Sequence, residues 1–253
     1  MIDIHSHVVP GIDDGSDSLA TTIEMIKIAQ AAGTSKIVAT PHYIRGRFEN
    51  HFSSIIKHVD KLNEQLKQNN LEVEVIYGQE VYLDKYSLDL LKNGVIGCIN
   101  NSKYMLVEFA MDELPSNAMD ILYELKIQGV RPIIAHPERY LFIQKDITAV
   151  NEFIENGCYF QINTGSITGI FGKEVQKTAN KLIENGICHF IASDAHSARR
   201  RCPGLQHALE KTKHIDRVVA KNALKNAENI VNNKDIINVA KVIEKKKKFF
   251  FFR

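Results

Sequence analysis

The chain has 253 residues, of which 44% are hydrophobic and 25% are charged, so it is long enough to form one large domain with a complete core. Its net charge of +2 is too balanced to indicate a nucleic acid or an anionic membrane surface as a partner. No apolar run approaches the ~18 residues of a membrane-spanning helix, and the first residues contain no basic and apolar leader. We therefore expect a cytoplasmic protein with no stable membrane insertion.

Short apolar runs alternate along the chain with stretches whose apolar residues recur every three or four positions. The apolar runs predict seven strands, at residues 2–4, 36–40, 72–78, 104–109, 131–136, 158–163 and 188–193. The periodic stretches predict helices at residues 18–32, 49–69, 115–128, 147–156 and 173–185. Alternation of this kind indicates an α/β fold with a parallel sheet, and at this length we expect a closed, seven-stranded TIM-like (β/α) barrel.

After residue 203 the pattern is helical throughout, which predicts extra C-terminal helices at residues 204–213, 216–232 and 235–245. We therefore expect a single domain over residues 1–245. Residues 246–253 belong to a run of lysines followed by phenylalanines, for which we predict a disordered tail. A frame-shifted end and a basic-aromatic segment that touches a membrane are the alternatives for this tail.

Polar and titratable side chains stand at the carboxyl ends of the predicted strands, the edge at which barrels of this type build their active sites. In chain order they are His5, His7 and Asp14 after the first strand, His42 after the second, Glu80 after the third, Glu108 after the fourth, His136 and Arg139 after the fifth, Gln161 and Asn163 after the sixth, and Asp194 and His196 after the seventh. Carboxylates gathered at one edge need cations to offset their charge. Nine potential ligands exceed the need of one ion, so the sequence predicts a site with several metal ions.

The donor types narrow the choice of metal. Imidazole and carboxylate ligands favour manganese, iron, zinc or cobalt over magnesium and calcium. The four cysteines have no CxxC spacing and none ends a strand, which indicates reduced thiols rather than a thiolate-bound structural zinc. We expect the remaining histidines to lie outside the site; they are His51, His58, His207 and His214 on helical stretches, and His189 within the seventh strand.

Taken together, these motifs resemble those of the PHP (polymerase and histidinol phosphatase) superfamily. The shared features are HxH in the first strand, PH after the second, Glu after the third and fourth, HPER after the fifth and DAH after the seventh. The segments DIHSHVVPGIDDGSDS, ATPHY, GQEVYL and IIAHPERY are similar, more narrowly, to the CpsB/YwqE-type bacterial protein-tyrosine phosphatases of capsule and exopolysaccharide regulation. The resemblance extends from residue 1 to about residue 230.

The resemblance implies a distorted seven-stranded barrel, the PHP fold, with two or three metal ions, commonly manganese. It implies a first metal held by His5, His7, Glu80 and Asp194, a second held by Glu80, Glu108 and His136, and a third held by Asp14, His42 and His196. It further implies that phosphate is bound by Arg139 and by one arginine of the ARRR segment. We expect that arginine to be Arg201 rather than Arg199 or Arg200.

The activity implied by the resemblance is hydrolysis of phosphotyrosine on a protein, with a bacterial tyrosine autokinase of capsule synthesis as the partner. No cysteine begins a CxxxxxR phosphate-binding loop, so we expect no phosphocysteine intermediate. Hydrolysis of histidinol phosphate or another small phosphoester is the alternative within the same superfamily. A nuclease is less favoured because there is no basic patch, and a non-catalytic docking protein is less favoured because no ligand position is missing.

Overall fold

The computed structural model describes residues 1–244, within which strands and helices alternate along most of the chain. The strands are β1 (Ile2–Ser6), β2 (Lys36–Ala39), β3 (His42–Ile44), β4 (Phe48–Glu49), β5 (Glu74–Tyr77), β6 (Glu80–Tyr82), β7 (Tyr104–Glu108), β8 (Arg131–Ala135), β9 (Tyr159–Asn163) and β10 (Phe190–Ala192). The helices are α1 (Leu19–Ala31), α2 (Phe52–Gln68), α3 (Ser87–Lys92), α4 (Ala118–Ile127), α5 (Leu141–Lys145), α6 (Asn151–Glu155), α7 (Thr164–Thr168), α8 (Lys173–Glu184), α9 (Gln206–Ile215) and α10 (Arg217–Val231). The predicted tail at 246–253 and the predicted domain end at residue 245 lie outside the described residues.

The strands form two sheets in which neighbouring strands run parallel, apart from one hairpin. The smaller sheet has the order β1-β2-β5, and the larger has the order β10-β9-β8-β7-β6-β3-β4. Among the pairs in these sheets, β3 and β4 form the antiparallel hairpin. The predicted α/β class with a parallel sheet is therefore confirmed. The expected single closed sheet of seven strands is not seen, because the strands are divided between two sheets.

A break follows each of two predicted strands, which accounts for the division. The second predicted strand, at residues 36–40, corresponds to β2, and the third, at 72–78, corresponds to β5; beyond the break each is followed by a short strand that the sequence did not predict, β3 and β6. Pro41 stands in the first interruption and has no N–H for a ladder, while its carbonyl accepts the N–H of Glu80 at 3.2 Å. Beyond the breaks, His42 and Glu80 pair in register as the first residues of β3 and β6. The interruptions therefore move both residues from strand ends into the larger sheet.

The first strand and the segment after the last strand lie side by side. The N–H of His7 donates to the carbonyl of Ala195, and the N–H of Asp194 donates to the carbonyl of His5, both at 2.8 Å. Ser6 and Ala195 also form an isolated parallel bridge. Because of these bonds, residues almost 190 positions apart in sequence meet at one edge of the sheets.

A buried apolar cluster supports this edge. It receives side chains from seven strands and from α10; examples are Ile4, Val38, Ile76, Leu106, Ile133, Tyr159, Phe190 and Ile230. Burial of each side chain of this size contributes about 1.5–3 kcal/mol to folding. The strand ends that carry the polar residues are therefore anchored in a packed core rather than in mobile loops.

The C-terminal segment agrees with the sequence prediction for two helices and differs for the third. The structure has α9 and α10 in the predicted places, but residues 235–244 are not helical. Asparagine side chains bind the backbone of this segment, because Oδ1 of Asn226 accepts the N–H of Ile237 and Oδ1 of Asn151 accepts the N–H of Ile243, each at 2.8 Å. Within residues 1–244, no helix combines the length and the apolar character needed to cross a membrane.

Candidate metal centre

The nine residues predicted as metal ligands lie together. Seven of them stand at or beyond the carboxyl ends of strands, and the other two, His42 and Glu80, begin β3 and β6. Eight of them are buried, and the side chain of Asp14 is 46% exposed. Donor atoms of eight of them, all but His136, form three groups, and within each group all atoms lie within 4.8 Å of one another. The groups are His5, His7, Glu80 and Asp194; His7, Asp14, His42 and His196; and His42, Glu80 and Glu108. The structure therefore brings together residues from both ends of the chain into one cluster.

The first group has the spacing of ligands around a single ion. Nε2 of His5 and Nε2 of His7 are 3.2 Å apart, and each lies 3.2 Å from Oε2 of Glu80 and 3.5 Å from Oδ1 of Asp194. Tetrahedral ligands with bonds of about 2.0–2.2 Å are separated by about 3.3–3.6 Å. The four atoms therefore fit a metal ion, and this group has the composition that the resemblance implies for the first metal.

The other two groups share atoms with the first. Oδ1 of Asp14 lies 3.4 Å from Nε2 of His42 and 3.5 Å from Nε2 of His196. Nδ1 of His42 lies 3.1 Å from Oε1 of Glu108. The resemblance implies His136 beside Glu108 at the second metal, whereas the closest grouping in the structure contains His42. His136 still lies within the cluster, because its Nε2 is 2.9 Å from Glu80 and 3.8 Å from Glu108.

Several buried donor atoms of the cluster have close neighbours but no hydrogen bond. Among the described residues, Oε2 of Glu80 and the Nδ1 atoms of His42 and His136 are buried and lack a hydrogen-bond partner. Oε2 of Glu80 has imidazole nitrogens of His5 and His7 at 3.2 Å, but their geometry does not form hydrogen bonds. Because buried polar atoms are normally paired, these atoms are suited to ligate cations.

Two imidazoles of the first group are oriented by partners on their far side. Nδ1 of His5 lies 2.8 Å from Oε1 of Gln161, and Nδ1 of His7 lies 2.7 Å from Oδ2 of Asp13. An oxygen acceptor at Nδ1 places the proton there and leaves the lone pair of Nε2 for a metal. Asp13 was not assigned by the sequence prediction, which took Asp14 from the acidic pair.

The electrostatics of the cluster demand positive charge. Burial acts to lower the pKa of His5, but the charges of Glu80 and Asp194 outweigh it and raise that pKa to about 9. Burial also acts to lower the pKa of His42, but Glu80 and Glu108 raise it to about 10. Burial acts to raise the pKa of Glu80, but His5 and His42 hold it well below its usual range. Protons therefore compensate the carboxylates when metal ions do not, and metal binding must displace them.

Two members of the group around Asp14, namely Asp14 itself and His196, already have the protonation states that metal binding requires. Burial and the charge of His7 lower the pKa of His196 to about 4, so its imidazole is neutral at pH 7. The contact with His196 lowers the pKa of the Asp14 carboxyl, which is ionised at that pH. A neutral imidazole and an ionised carboxylate are the forms that bind metals.

The backbone is strained at two of the predicted ligands. His136 has φ +36° and Asp194 has φ +51°, in the left-handed region that L side chains rarely adopt. Such residues cost about 1–3 kcal/mol each and cluster at functional sites.

The close approach of the backbone to His7 requires glycine at position 15, because a Cβ on Gly15 would lie 2.3 Å from Cβ of His7. The N–H of Gly15 donates to Oδ1 of Asp13 at 2.9 Å, which fixes that carboxylate against His7.

Both arginines predicted to bind phosphate lie at the cluster. Nη1 of Arg139 and Nη2 of Arg201 contact the same oxygen, Oδ2 of Asp194, at 3.1 and 2.7 Å. The other oxygen of Asp194 faces the first group of metal donors. Arg199 and Arg200 are exposed and do not line the cleft, whereas Arg201 does.

A cleft of about 240 Å³ opens above the metal donors and is lined by both Arg139 and Arg201. Its wall contains residues that the sequence prediction did not identify, namely Ile44, Arg47, Tyr82, Phe109 and Met111. They belong to strands or loops next to the ligands, and no local motif marks them in the sequence. The cleft can therefore bind a phosphate group at Arg139 and Arg201 and an organic group against its apolar wall.

The histidines predicted to lie outside the site do lie outside it. His51 precedes α2, and His58 lies within α2, where its Nδ1 contacts the carbonyl of Ser54 at 2.8 Å. His207 and His214 are on α9. His189 is buried just before β10, packed against the rings of Tyr159 and Phe160.

The fold and the cluster together define a class of protein. It is an α/β protein that gathers imidazoles and carboxylates for several metal ions at the carboxyl ends of its strands, with arginines at the same cleft. Such an arrangement is typical of metal-dependent hydrolases that act on phosphate esters.

Comparisons with known proteins identify the family within this class. The family model for "Capsular polysaccharide synthesis, CpsB/CapC" matches residues 1–232. Tyrosine-protein phosphatase YwqE of Bacillus subtilis (strain 168) is 35% identical over 254 residues, a match that covers 100% of both chains. Tyrosine-protein phosphatase CpsB of Streptococcus agalactiae serotype V is 33% identical over 215 residues, covering 83% of this chain and 88% of the relative. The chain belongs to the CpsB/CapC family, and the family predicted from the sequence motifs is confirmed.

Solved structures agree with this assignment. A chain from the crystal structures of YwqE from Bacillus subtilis and CpsB from Streptococcus pneumoniae, described as unique metal-dependent tyrosine phosphatases, matches with a TM-score of 0.92 at 33% identity. The match covers 97% of this chain and 100% of that one. Histidinol phosphate phosphatase from Lactococcus lactis matches with a TM-score of 0.54 at 14% identity, covering 88% and 93% of the two chains. At this identity the second likeness shows the fold alone.

Proposed function

We propose that this protein is a metal-dependent tyrosine-protein phosphatase that hydrolyses phosphotyrosine on a protein substrate. The observation that carries the proposal is one cluster of nine candidate metal donors beside a cleft that is lined by two arginines. The relatives at 33–35% identity are named for the same activity. The family description adds capsular polysaccharide synthesis as the process in which the activity is used.

The proposed ligands are His5, His7, Asp14, His42, Glu80, Glu108, His136, Asp194 and His196. Bound metal ions supply Lewis acidity toward the phosphoryl oxygens and lower the pKa of water. Manganese is the ion that we propose, with iron, cobalt and zinc as alternatives, because the donors are imidazoles and carboxylates. The orphaned donor atoms of Glu80, His42 and His136 support two or three ions rather than one.

The arginines are proposed to bind the phosphate. A phosphotyrosine carries about two negative charges near neutral pH. The guanidinium groups of Arg139 and Arg201 at the cleft can donate charge-assisted hydrogen bonds to its phosphate. Both are already aimed at one carboxylate oxygen of Asp194.

The leaving phenol has a pKa of about 10, below that of an alkyl alcohol, so its departure needs less help from a proton donor. No cysteine lines the cleft among the described residues, which supports a mechanism without a thiol nucleophile.

We also propose that the two sheets together form the distorted seven-stranded barrel expected from the sequence. The buried cluster that contains Ile4 and Ile230 receives side chains from seven strands, as the interior of a barrel would. The bonds between β1 and the segment after β10 close the remaining side. Interruptions at the ends of β2 and β5 are the proposed distortion.

A tyrosine autokinase of capsule synthesis is the proposed partner, because the family description names capsular polysaccharide synthesis and the relatives are named tyrosine-protein phosphatases. We propose a cytoplasmic location, which agrees with four cysteines that are all free thiols within the described residues.

A metal-reconstituted substrate panel tests the proposed function. Chelation should abolish phosphatase activity, and Mn²⁺ should restore it more fully than Mg²⁺. The reconstituted enzyme should then hydrolyse a phosphotyrosine peptide with a higher kcat/KM than a phosphoserine peptide or histidinol phosphate. A tenfold or greater preference for histidinol phosphate would instead assign the protein to small-molecule hydrolysis.

A further inference from the structure

The two phosphate-binding arginines come from different loops and carry like charges at close range. Both guanidinium groups contact Oδ2 of Asp194, at 3.1 Å for Arg139 and 2.7 Å for Arg201. Their side chains are 24% and 27% exposed, so water reaches them. Two adjacent cations repel each other, and a phosphate must compete with Asp194 for them. A further contact that does not use their hydrogen-bond donors would keep both groups in place.

The ring of Phe171 provides such a contact for both arginines. The Cζ atom of Arg139 lies 5.0 Å from the centre of the ring, and Cζ of Arg201 lies 5.8 Å from it. Both distances fall within the range of about 6 Å for cation–π attraction. The contact uses the electron-rich face of the ring, so the N–H donors of both guanidinium groups remain free for phosphate.

The loop that carries Phe171 is itself held in place. It connects α7 and α8, and the N–H of Ile170 donates to the carbonyl of Gly165 at 2.8 Å. The ring packs directly against Gly165, where an added Cβ would lie 2.7 Å from Cε2 of Phe171. Gly169 and Gly172 flank the residue with φ of +92° and +97°, values that favour glycine. The ring is therefore fixed before substrate arrives.

We propose that Phe171 is a positioning residue, which holds the guanidinium groups of Arg139 and Arg201 for phosphate binding through cation–π contacts. The inference rests on the proposed function, because it assigns to these arginines the role of binding the phosphoryl group. Phe171 does not line the cleft. It acts through the arginines.

The test compares substitutions at residue 171 in the manganese-loaded enzyme with a phosphotyrosine peptide as substrate. Phe171→Leu keeps apolar bulk and removes the ring, and it should lower kcat/KM by about fivefold to thirtyfold, the size that two cation–π contacts allow. Most of the loss should appear as a higher KM, and the inhibition constant of inorganic phosphate should rise by a similar factor. Phe171→Tyr should restore kcat/KM to within twofold of the wild type. Gly165→Ala, which displaces the ring, should reproduce the Leu variant.

Phe142→Leu is the matched control, because Phe142 is also partly buried but stacks on Tyr140 rather than on an arginine. It should retain wild-type KM. The inference is overturned if Phe171→Leu has wild-type KM and phosphate inhibition, or if its defect persists in Phe171→Tyr or is accompanied by loss of metal. Arg139→Ala and Arg201→Ala, measured in parallel, distinguish a failure of the inference about Phe171 from a failure of the proposed role of the arginines. If neither variant changes KM or kcat, the arginines do not bind the phosphate, and this result is independent of the Phe171 variants.

Discussion

The carboxylate of Asp13 lies 2.7 Å from Nδ1 of His7, on the side of the imidazole opposite the metal donors. Burial acts to raise the pKa of this carboxyl, but the charge of His7 and its hydrogen bond lower it below the usual range. The N–H groups of Gly15 and His42 donate to the same carboxylate at 2.9 and 3.1 Å. Asp13 is therefore held in place as the orienting partner of a predicted metal ligand.

Replacing Asp13 should weaken metal binding without removing a ligand. Asp13→Asn removes the charge that fixes the Nδ1–H form of His7, and loss of such a partner typically costs 10- to 100-fold in metal affinity. Dissociation constants for Mn²⁺, measured by competition with a chelator, should rise by about that factor. Asp17→Asn is the control, because Asp17 is an exposed acid of the same loop. Equal affinities in the two variants would contradict the role of Asp13.

The carboxylate of Asp194 and the guanidinium of Arg139 should give different phenotypes. Asp194→Ala removes a predicted ligand, so it should lose metal and reduce kcat by orders of magnitude. Arg139→Ala should keep its metal, and because a charge-assisted hydrogen bond contributes about 1.5–3 kcal/mol, kcat/KM should fall by about ten- to two-hundredfold.

Metal content by elemental analysis and steady-state kinetics on both proteins decide this comparison. A fully active Arg139→Ala enzyme would remove that arginine from the site. A metal-free one would make it a scaffold residue of the cluster.

The strand-end residues could be predicted from sequence because parallel strands direct their carboxyl ends to one edge. This logic selected nine candidate donors and Arg139 from short motifs, and these residues lie together in the structure. It did not find that His42 and Glu80 begin separate strands, because the interruptions depend on how the two sheets meet. It took Asp14 as a ligand but did not find Asp13 as the partner of His7, since that contact depends on the turn at Gly15 and the position of His7.

Contacts between distant segments limited the prediction elsewhere. Residues 235–244 have helical periodicity in the sequence, but the segment is not helical, and side chains of Asn151 and Asn226 bind its backbone N–H groups. The contacts of Phe171 could likewise not be predicted from the sequence around it, because Arg139 follows β8 and Arg201 follows β10, both distant from Phe171 in the chain. In both cases the deciding partner is remote in sequence, and local propensity is overridden by tertiary contacts.

The thiols should be unreactive and dispensable. Burial raises the pKa of Cys98 and Cys158 to about 12, and that of Cys188 is raised as well. Because the thiolate is the reactive form, iodoacetamide at pH 7.5 should leave these three unmodified by mass spectrometry. Cys202→Ser should retain kcat/KM within twofold. A loss of a hundredfold or more in that variant would reopen a thiol mechanism.

Buried His189 should make the fold less stable in mild acid. Its Nδ1 accepts the N–H of Phe160 at 3.1 Å and its Nε2 lies 2.9 Å from Oδ1 of Asn238, so the neutral form is the one bonded in the fold. Burial lowers the pKa of His189 to about 4. The unfolded chain binds this proton below a pH of about 6.5, whereas the folded chain does not until a pH of about 4. Its stabilising effect is therefore complete above the unfolded pKa and is lost as the pH falls through this window.

The expected contribution is about 1.4 kcal/mol per pH unit between roughly pH 6.5 and pH 4. Other titrating groups, including the metal donors, also affect acid stability, so the measurement must isolate one residue. Urea unfolding of the wild type and of His189→Gln, each at several values between pH 4.5 and pH 7.5, does so by difference. The variant should be less stable at pH 7, because the N–H of Phe160 loses its acceptor. As the pH falls, its free energy of unfolding should decrease less steeply than that of the wild type, by about 1.4 kcal/mol per pH unit. Parallel pH profiles for the two proteins would show that His189 is protonated in the folded state and that its burial does not hold it neutral.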